Sequence, residues 1–239
     1  MLIGDVLLVT GDKKISSGLA IAQKKAIYNN AISSHVELGL GDGTFVHATG
    51  DGGVHITFIL EELKECKGEW RAIRLKGISE EQQEELGKAG LYFLRQDYNK
   101  VFMGSGTDHS SFCSELIAKV YEKAGVRILD GKQPSKVAPA HFDKEADSLS
   151  DWEDVTEEYR ERLKEIEANP FPYRFACSTI QALMAKRHFT SKGREAIFKA
   201  MEMLSENEKN PKMKEVVEKV KKELREKRVL HFWDENDQN

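Results

Sequence analysis

The chain has 239 residues and a net charge of −4 at neutral pH. That length suits one core domain with an extension, and the charge lacks the basic excess that marks a nucleic-acid partner. Three widely spaced cysteines (Cys66, Cys113, Cys177) show no metal-pair spacing and point to a reducing compartment without structural disulfides. No apolar run approaches the roughly 18 residues of a membrane span. Met1-Leu2-Ile3-Gly4-Asp5 enters an apolar run directly, with no signal-peptide pattern. A cytoplasmic protein is expected, with signal-independent export left open.

The elements follow in chain order. Ile3–Val9 reads as a strand, and a helical or loop passage spans about Ser16–Asn30, with Ser17–Lys25 placed to line a cleft. Ser34–Ala48 reads as a β-hairpin, two alternating runs around the turn Gly41-Asp42-Gly43. The period of two puts His35 and Glu37 on one strand face and Phe45 and His47 on one face of the next. A further strand begins at Gly53-Val54, with His55 expected toward solvent, and another spans Trp70–Leu75. Ser79-Glu80-Glu81-Gln82 has the spacing of a capping box and opens a helix to about Gln96.

A loop rich in Gly and Ser, Gly104–His109, then runs into Ser111-Phe112-Cys113-Ser114-Glu115. Leu116, Ile117, Val120, Tyr121 and Ala124 continue at helical spacing until Gly125, so Cys113 stands in the first turn of a helix. Unpaired N–H groups and the positive end of the helix dipole favour thiolate there, the reactive form. Pairing around the hairpin brings His35 and His47 side by side, as a base and the group that orients it require. Glu37 is next in line for the orienting role. Asp108, Glu115, Tyr98 and Asn99 are cleft candidates, with capping or a surface charge explaining the two acids equally well; His109, His141, His188 and His231 have no supporting motif.

From about Ser150 the composition turns helical and charged. A helix over Thr156–Ala168 ends at Asn169-Pro170-Phe171-Pro172, and helices follow over Phe175–Phe189, Gly193–Leu204 and Pro211–Leu230. In the last, Met213, Val216, Val217, Val220 and Leu224 form an apolar stripe. Such a stripe covers the core, meets a second copy or binds a partner, and Phe171, Tyr173 and Phe175 read as docking residues.

These motifs resemble the circularly permuted papain-like cysteine hydrolases related to the NlpC-type cell-wall peptidases and to lecithin retinol acyltransferase. The resemblance rests on Gly4-Asp5 before an apolar strand, Ser34-His35-Val36-Glu37-Leu38-Gly39, Phe45-Val46-His47-Ala48, Gly53-Val54, Phe112-Cys113-Ser114-Glu115-Leu116 and the late pair Pro139-Ala140. His precedes Cys, the reverse of ordinary papain-like order. The third group is often Glu in bacterial members, whereas His47 matches the acyltransferase branch. That branch surrounds its cysteine with an Asn-Cys-Glu-His type of sequence, which is absent here.

The resemblance implies an α+β fold, an antiparallel sheet packed on helices, over residues 1–149, with a helical extension over 150–239. It implies a thiol hydrolase with Cys113 as nucleophile, His35 as base and His47 as its orienting group, needing neither cofactor nor metal. The substrate class is a peptide, a peptidoglycan fragment or an amide-linked lipid. The alternatives are acyl transfer or phospholipase action, and a catalytically silent scaffold whose tail binds a protein partner or a second copy.

Overall fold

Asp42 and Gly43 both adopt positive φ, 47° and 77°. This is the two-residue reversal whose twist matches the strands it joins. It closes the hairpin of β2 (His35–Gly41) and β3 (Thr44–Thr49), with Leu38 opposite Val46. The computed structural model describes residues 1–10, 22–66, 68–104, 106–207 and 211–235. Ser17–Ile21 of the expected cleft lining, and Ser105 of the glycine loop, lie outside the described residues.

The hairpin is central in a six-stranded antiparallel sheet. β1 is Ile3–Val9, β4 Gly53–Phe58, β5 Arg71–Leu75 and β8 Trp152–Asp154, in the spatial order β4-β3-β2-β1-β5-β8. Between them in the chain come α1 (Ile59–Glu65), α2 (Glu80–Tyr92), the short parallel pair β6 (Asp97–Tyr98) and β7 (Ser110–Ser111), α3 (Cys113–Lys123) and α4 (Pro139–Ser148). After β8 follow α5 (Thr156–Ala168), α6 (Pro170–Asn207) and α7 (Pro211–Lys227). The α+β expectation and the order of the first five strands match the sequence reading.

The capping box at Ser79 forms as expected, with Gln82 N–H donating to Ser79 Oγ and Ser79 N–H to Gln82 Oε1. Helix α2 stops at Tyr92 rather than near Gln96, and the chain reverses where Arg95 takes a φ of 71°. Helices α2 and α3 pack on β1, β2 and β3, burying Leu86, Leu116, Ile117, Val120 and Tyr121 against Val6, Leu38 and Val46.

Residues after 149 contribute to this same core. Trp152 of β8 is fully buried, and Tyr159 of α5 lies against Phe45 and donates to Asp5 Oδ2 at 2.9 Å. Asp5 also accepts both Arg74 Nε at 2.7 Å and Arg74 Nη2 at 2.9 Å, so one buried carboxylate ties β1, β5 and α5 together.

Beyond α5 the extension differs from its expected form. Helix α6 is continuous over 38 residues and passes straight through Gly193. A mid-helix glycine costs about 1 kcal/mol, too little to end a helix of this length. Of the three proposed docking aromatics only Tyr173 packs on the core; Phe171 and Phe175 are 74% and 63% exposed and stack on each other. On α7 only Val217 of the stripe is buried, against α6, while Val216 and Val220 are exposed. The chain then returns to the core, with Trp233 N–H donating to the Tyr92 carbonyl and Trp233 Nε1 to that of Leu94. No helix among the described residues is long and apolar enough to cross a membrane.

Candidate active site

The residue pattern of the meander β2-β3-β4 determines what its polar face carries. Cross-strand pairing sets His47 opposite His55, and one step from the Leu38–Val46 pair sets Glu37 beside His47. His35 shares a strand face with Glu37. Four polar side chains therefore gather on one patch: His35, Glu37, His47 and His55. His35 and His47 come together as expected, with Nε2 of His35 3.0 Å from Nδ1 of His47. His55 corrects the expectation of a solvent-facing side chain: its Nε2 lies 2.9 Å from His47 Nε2, and its Nδ1 is 3.0 Å from the Gly53 carbonyl oxygen.

Gly53 is fixed in place. It takes a φ of 61°, and a Cβ there would collide with the Gln96 carbonyl, which accepts the Val54 N–H at 2.8 Å. Gln96 is itself buried; its Nε2 donates to the Asp108 carbonyl and its Oε1 accepts from Ser111 Oγ at 2.8 Å. One residue thus joins the start of β4, through its backbone carbonyl, to the strand that leads into Cys113, through its side chain.

Cys113 opens α3, as its sequence position implies, and is nearly fully buried. Backbone N–H groups of Val36, Cys113 and Ser114 surround its sulfur. Val36 is the neighbour of His35 on β2, which places the thiol beside that strand. The expectation of a ready thiolate is not met. Burial pushes the thiol up to about 11, and the three N–H groups, though they favour the anion, only partly offset the loss of water. Tyr98 lies close enough to Cys113 to be affected by its charge, and burial raises its hydroxyl to about 12.

Burial also dominates the imidazoles. It pushes His35 well below its ordinary value, with His47 and His55 adding to the effect, and lowers His47 and His55 in the same direction. All three are neutral at neutral pH. Two carboxyls face them. Glu37 is fully buried, and its Oε1 lies 3.6 Å from His47 Nδ1 and 3.9 Å from His35 Nε2. Glu62 of α1 places Oε2 3.7 Å from His47 Nδ1, while its Oε1 accepts from Thr57 Oγ1. Burial raises Glu37 to about 8 and Glu62 to about 7. The potential ligand atoms of His35, Glu37 and His47 all lie within 4.8 Å of one another, the spacing of a metal-binding cluster.

The remaining candidates fall outside this centre. Glu115 is a cap: its Oε2 accepts the Phe112 N–H and Asn99 Nδ2, and Lys119 pairs with Oε1. Asn99 thereby steadies the start of α3 rather than lining a groove. His109 meets Trp233 edge to face, His141 caps α4 through the Ala138 N–H, and His188 pairs with Asp234. Sequence reasoning missed His55. The signal that would have found it is the Thr49–Gly53 turn, which sets residues 47 and 55 opposite each other.

A family model described as permuted papain-like amidase enzyme, YaeF/YiiX, C92 family, matches residues 3–162. A crystal structure described as that of the metalloprotein yiiX from Escherichia coli O157:H7 aligns at 25% identity with a TM-score of 0.45. That alignment covers 53% of this chain and 68% of that one. No curated protein matches. The family match runs from the first strand through α3 into α5, and on that match the chain belongs to the permuted papain-like amidase family.

Proposed function

We propose that the protein is a cysteine amidase that cleaves a peptide, cell-wall or lipid-linked amide bond, with Cys113 as nucleophile, His35 as base and His47 as the group that orients it. The unbroken line of ring nitrogens that starts at His35, on the strand whose Val36 N–H meets the thiol, supports this reading. A carbonyl oxygen can only accept, so the Gly53 contact puts a proton on His55 Nδ1 and leaves Nε2 of that ring an acceptor. His47 Nε2–H then donates to it, and His47 Nδ1 accepts from His35 Nε2–H. Each ring is neutral and carries one proton, so His35 Nδ1 keeps its lone pair and is the nitrogen able to take the thiol proton.

In this scheme the sulfur attacks the carbonyl carbon as its proton passes to His35, and the imidazolium returns that proton to the leaving amine. Water then hydrolyses the thioester with the same base. The backbone N–H groups at the start of α3 and of Val36 stand where negative charge develops. Helix α6 borders the site region and is read as part of the substrate wall: Gln181 Nε2 donates to the Ile56 carbonyl on the strand that carries His55.

Cys113→Ala is expected to abolish amine release from amide substrates while the circular dichroism spectrum stays unchanged. His47→Ala is expected to lower turnover on the order of 10–1,000-fold with KM nearly intact, as fits an orienting role within acid–base catalysis. Full turnover by Cys113→Ala removes the nucleophile assignment. Mass spectrometry showing that only lipid esters are consumed moves the reading to the acyltransferase or phospholipase alternative.

A further inference from the structure

The hydrolytic scheme leaves one buried group unexplained. Glu37 is fully enclosed; its carboxyl faces a second acid, Glu62, and neither of its oxygens accepts a hydrogen bond from a backbone N–H or a basic side chain. An unsatisfied buried polar group costs about 1–3 kcal/mol, and more when charged, so its retention calls for a partner of another kind. The geometry around it is that of a ligand shell. His35 Nε2, His47 Nδ1 and Glu37 Oε1 form a triangle with edges of 3.0, 3.6 and 3.9 Å. Tetrahedral ligands about 2.1 Å from a zinc ion stand roughly 3.4 Å apart, so one ion fits this triangle with shifts of a few tenths of an ångström.

The supporting shell is also present. His47 is backed by His55, which is anchored on the Gly53 carbonyl, the kind of outer contact that fixes the ring and tautomer of a metal-bound imidazole. All three ligand residues stand on adjacent strands of one sheet, so their spacing is set by backbone pairing. Glu62 places a second carboxylate oxygen 3.7 Å from His47 Nδ1, near enough to serve as a fourth ligand.

We propose that His35 Nε2, Glu37 Oε1 and His47 Nδ1 form a binding site for a divalent transition-metal ion, zinc above all, and that its occupancy switches off the hydrolase. The choice of zinc follows from two imidazoles and one carboxylate in a compact site. The switching rests on the catalytic reading above. An ion on His35 Nε2 displaces the proton of that neutral ring to Nδ1, so His35 can no longer accept the proton of Cys113. The ion also replaces the His35–His47 hydrogen bond that orients the base.

The test uses the full chain stripped of metal with a chelator. Titration calorimetry with zinc alone is expected to show one site, weakened at least about tenfold in Glu37→Gln and in His47→Ala and unchanged in Cys66→Ala and His188→Ala. Cobalt(II) substituted into the wild-type chain is expected to give the intense visible bands of four coordination, without a strong thiolate charge-transfer band. This second readout needs no variant to fold. Absence of one-to-one binding, affinity undiminished in both ligand variants, or a pale six-coordinate cobalt spectrum overturns the site. In parallel, zinc is expected to lower amide turnover at least tenfold, with recovery on chelation. If the stripped protein hydrolyses amides at the same rate with zinc bound, the switch falls and the hydrolase stands. If it hydrolyses none, the hydrolase reading and the switch fall while the metal affinity remains measurable.

Discussion

The protonation state of Cys113 is the sharpest test of how this site works. Its thiol rises from an ordinary 9.0 to about 11 because burial removes the water that would stabilise the anion. Two pH units correspond to about 2.7 kcal/mol against ionisation, and at pH 7.5 they leave a thiolate fraction between about 10⁻³ and 10⁻⁴. With His35 also held neutral, the proposed mechanism starts from thiol and imidazole, and its proton moves only as the substrate is attacked. The assay is alkylation by iodoacetamide in a Cys66→Ala/Cys177→Ala background, where Cys113 is the single thiol. Its rate is expected to climb about tenfold per pH unit from pH 6.5 to 10 without levelling off. His35→Ala is expected to leave that slope unchanged. A plateau reached below about pH 8, lost in His35→Ala, would show a preformed thiolate–imidazolium pair and refute the reasoning.

Two further outcomes concern stability. Asp5→Ala removes the partner of Arg74 and Tyr159 from a fully buried position, and urea unfolding is expected to show a loss of about 3–5 kcal/mol; a change under 1 kcal/mol would show that Asp5 is not the tie between β1, β5 and α5. Glu37, raised to about 8 when folded, contributes stability that is whole below its unfolded value near 4.5 and lost as pH rises through about 8. Metal-free protein is therefore expected to lose up to about 1.4 kcal/mol per pH unit between pH 5 and 8, and Glu37→Gln to flatten that slope; equal slopes in urea titrations at pH 5.5, 7 and 8.5 count against the buried acid.

What the sequence made legible was whatever obeys a local rule. The Asp42-Gly43 reversal, the alternation through His35 and His47, the box at Ser79 and the helix opening at Cys113 each depend on neighbours within a few positions. What stayed hidden depends on the third dimension. His55 alternates with buried Val54 and Ile56, which in sequence is also the pattern of a solvent-facing residue; only the pairing across Thr49–Gly53 shows that it meets His47. Helix position suggested an acidic thiol, but the depth of burial, which no local pattern encodes, reverses the direction. Two helices were expected, one ending at Phe189 and one opening at Gly193, yet Gly193 sits in open space with helix on both sides. Glu37 was visible as an acid beside the histidines, and its enclosure against Glu62 with no basic partner was not.

The order in which the chain is laid down has a kinetic meaning. The three imidazoles lie on consecutive strands joined by tight turns, contacts of short sequence separation that form early in folding. The sulfur comes from a helix far along the chain and reaches β2 only when α3 docks, a closure that must await most of the sheet. In the proposed mechanism the three imidazoles of the relay precede the proposed nucleophile, Cys113, by more than fifty residues. If Cys113 is the nucleophile proposed above, reactivity waits for that long-range docking, and chains stalled before it present a set of histidines without the means to cut their neighbours.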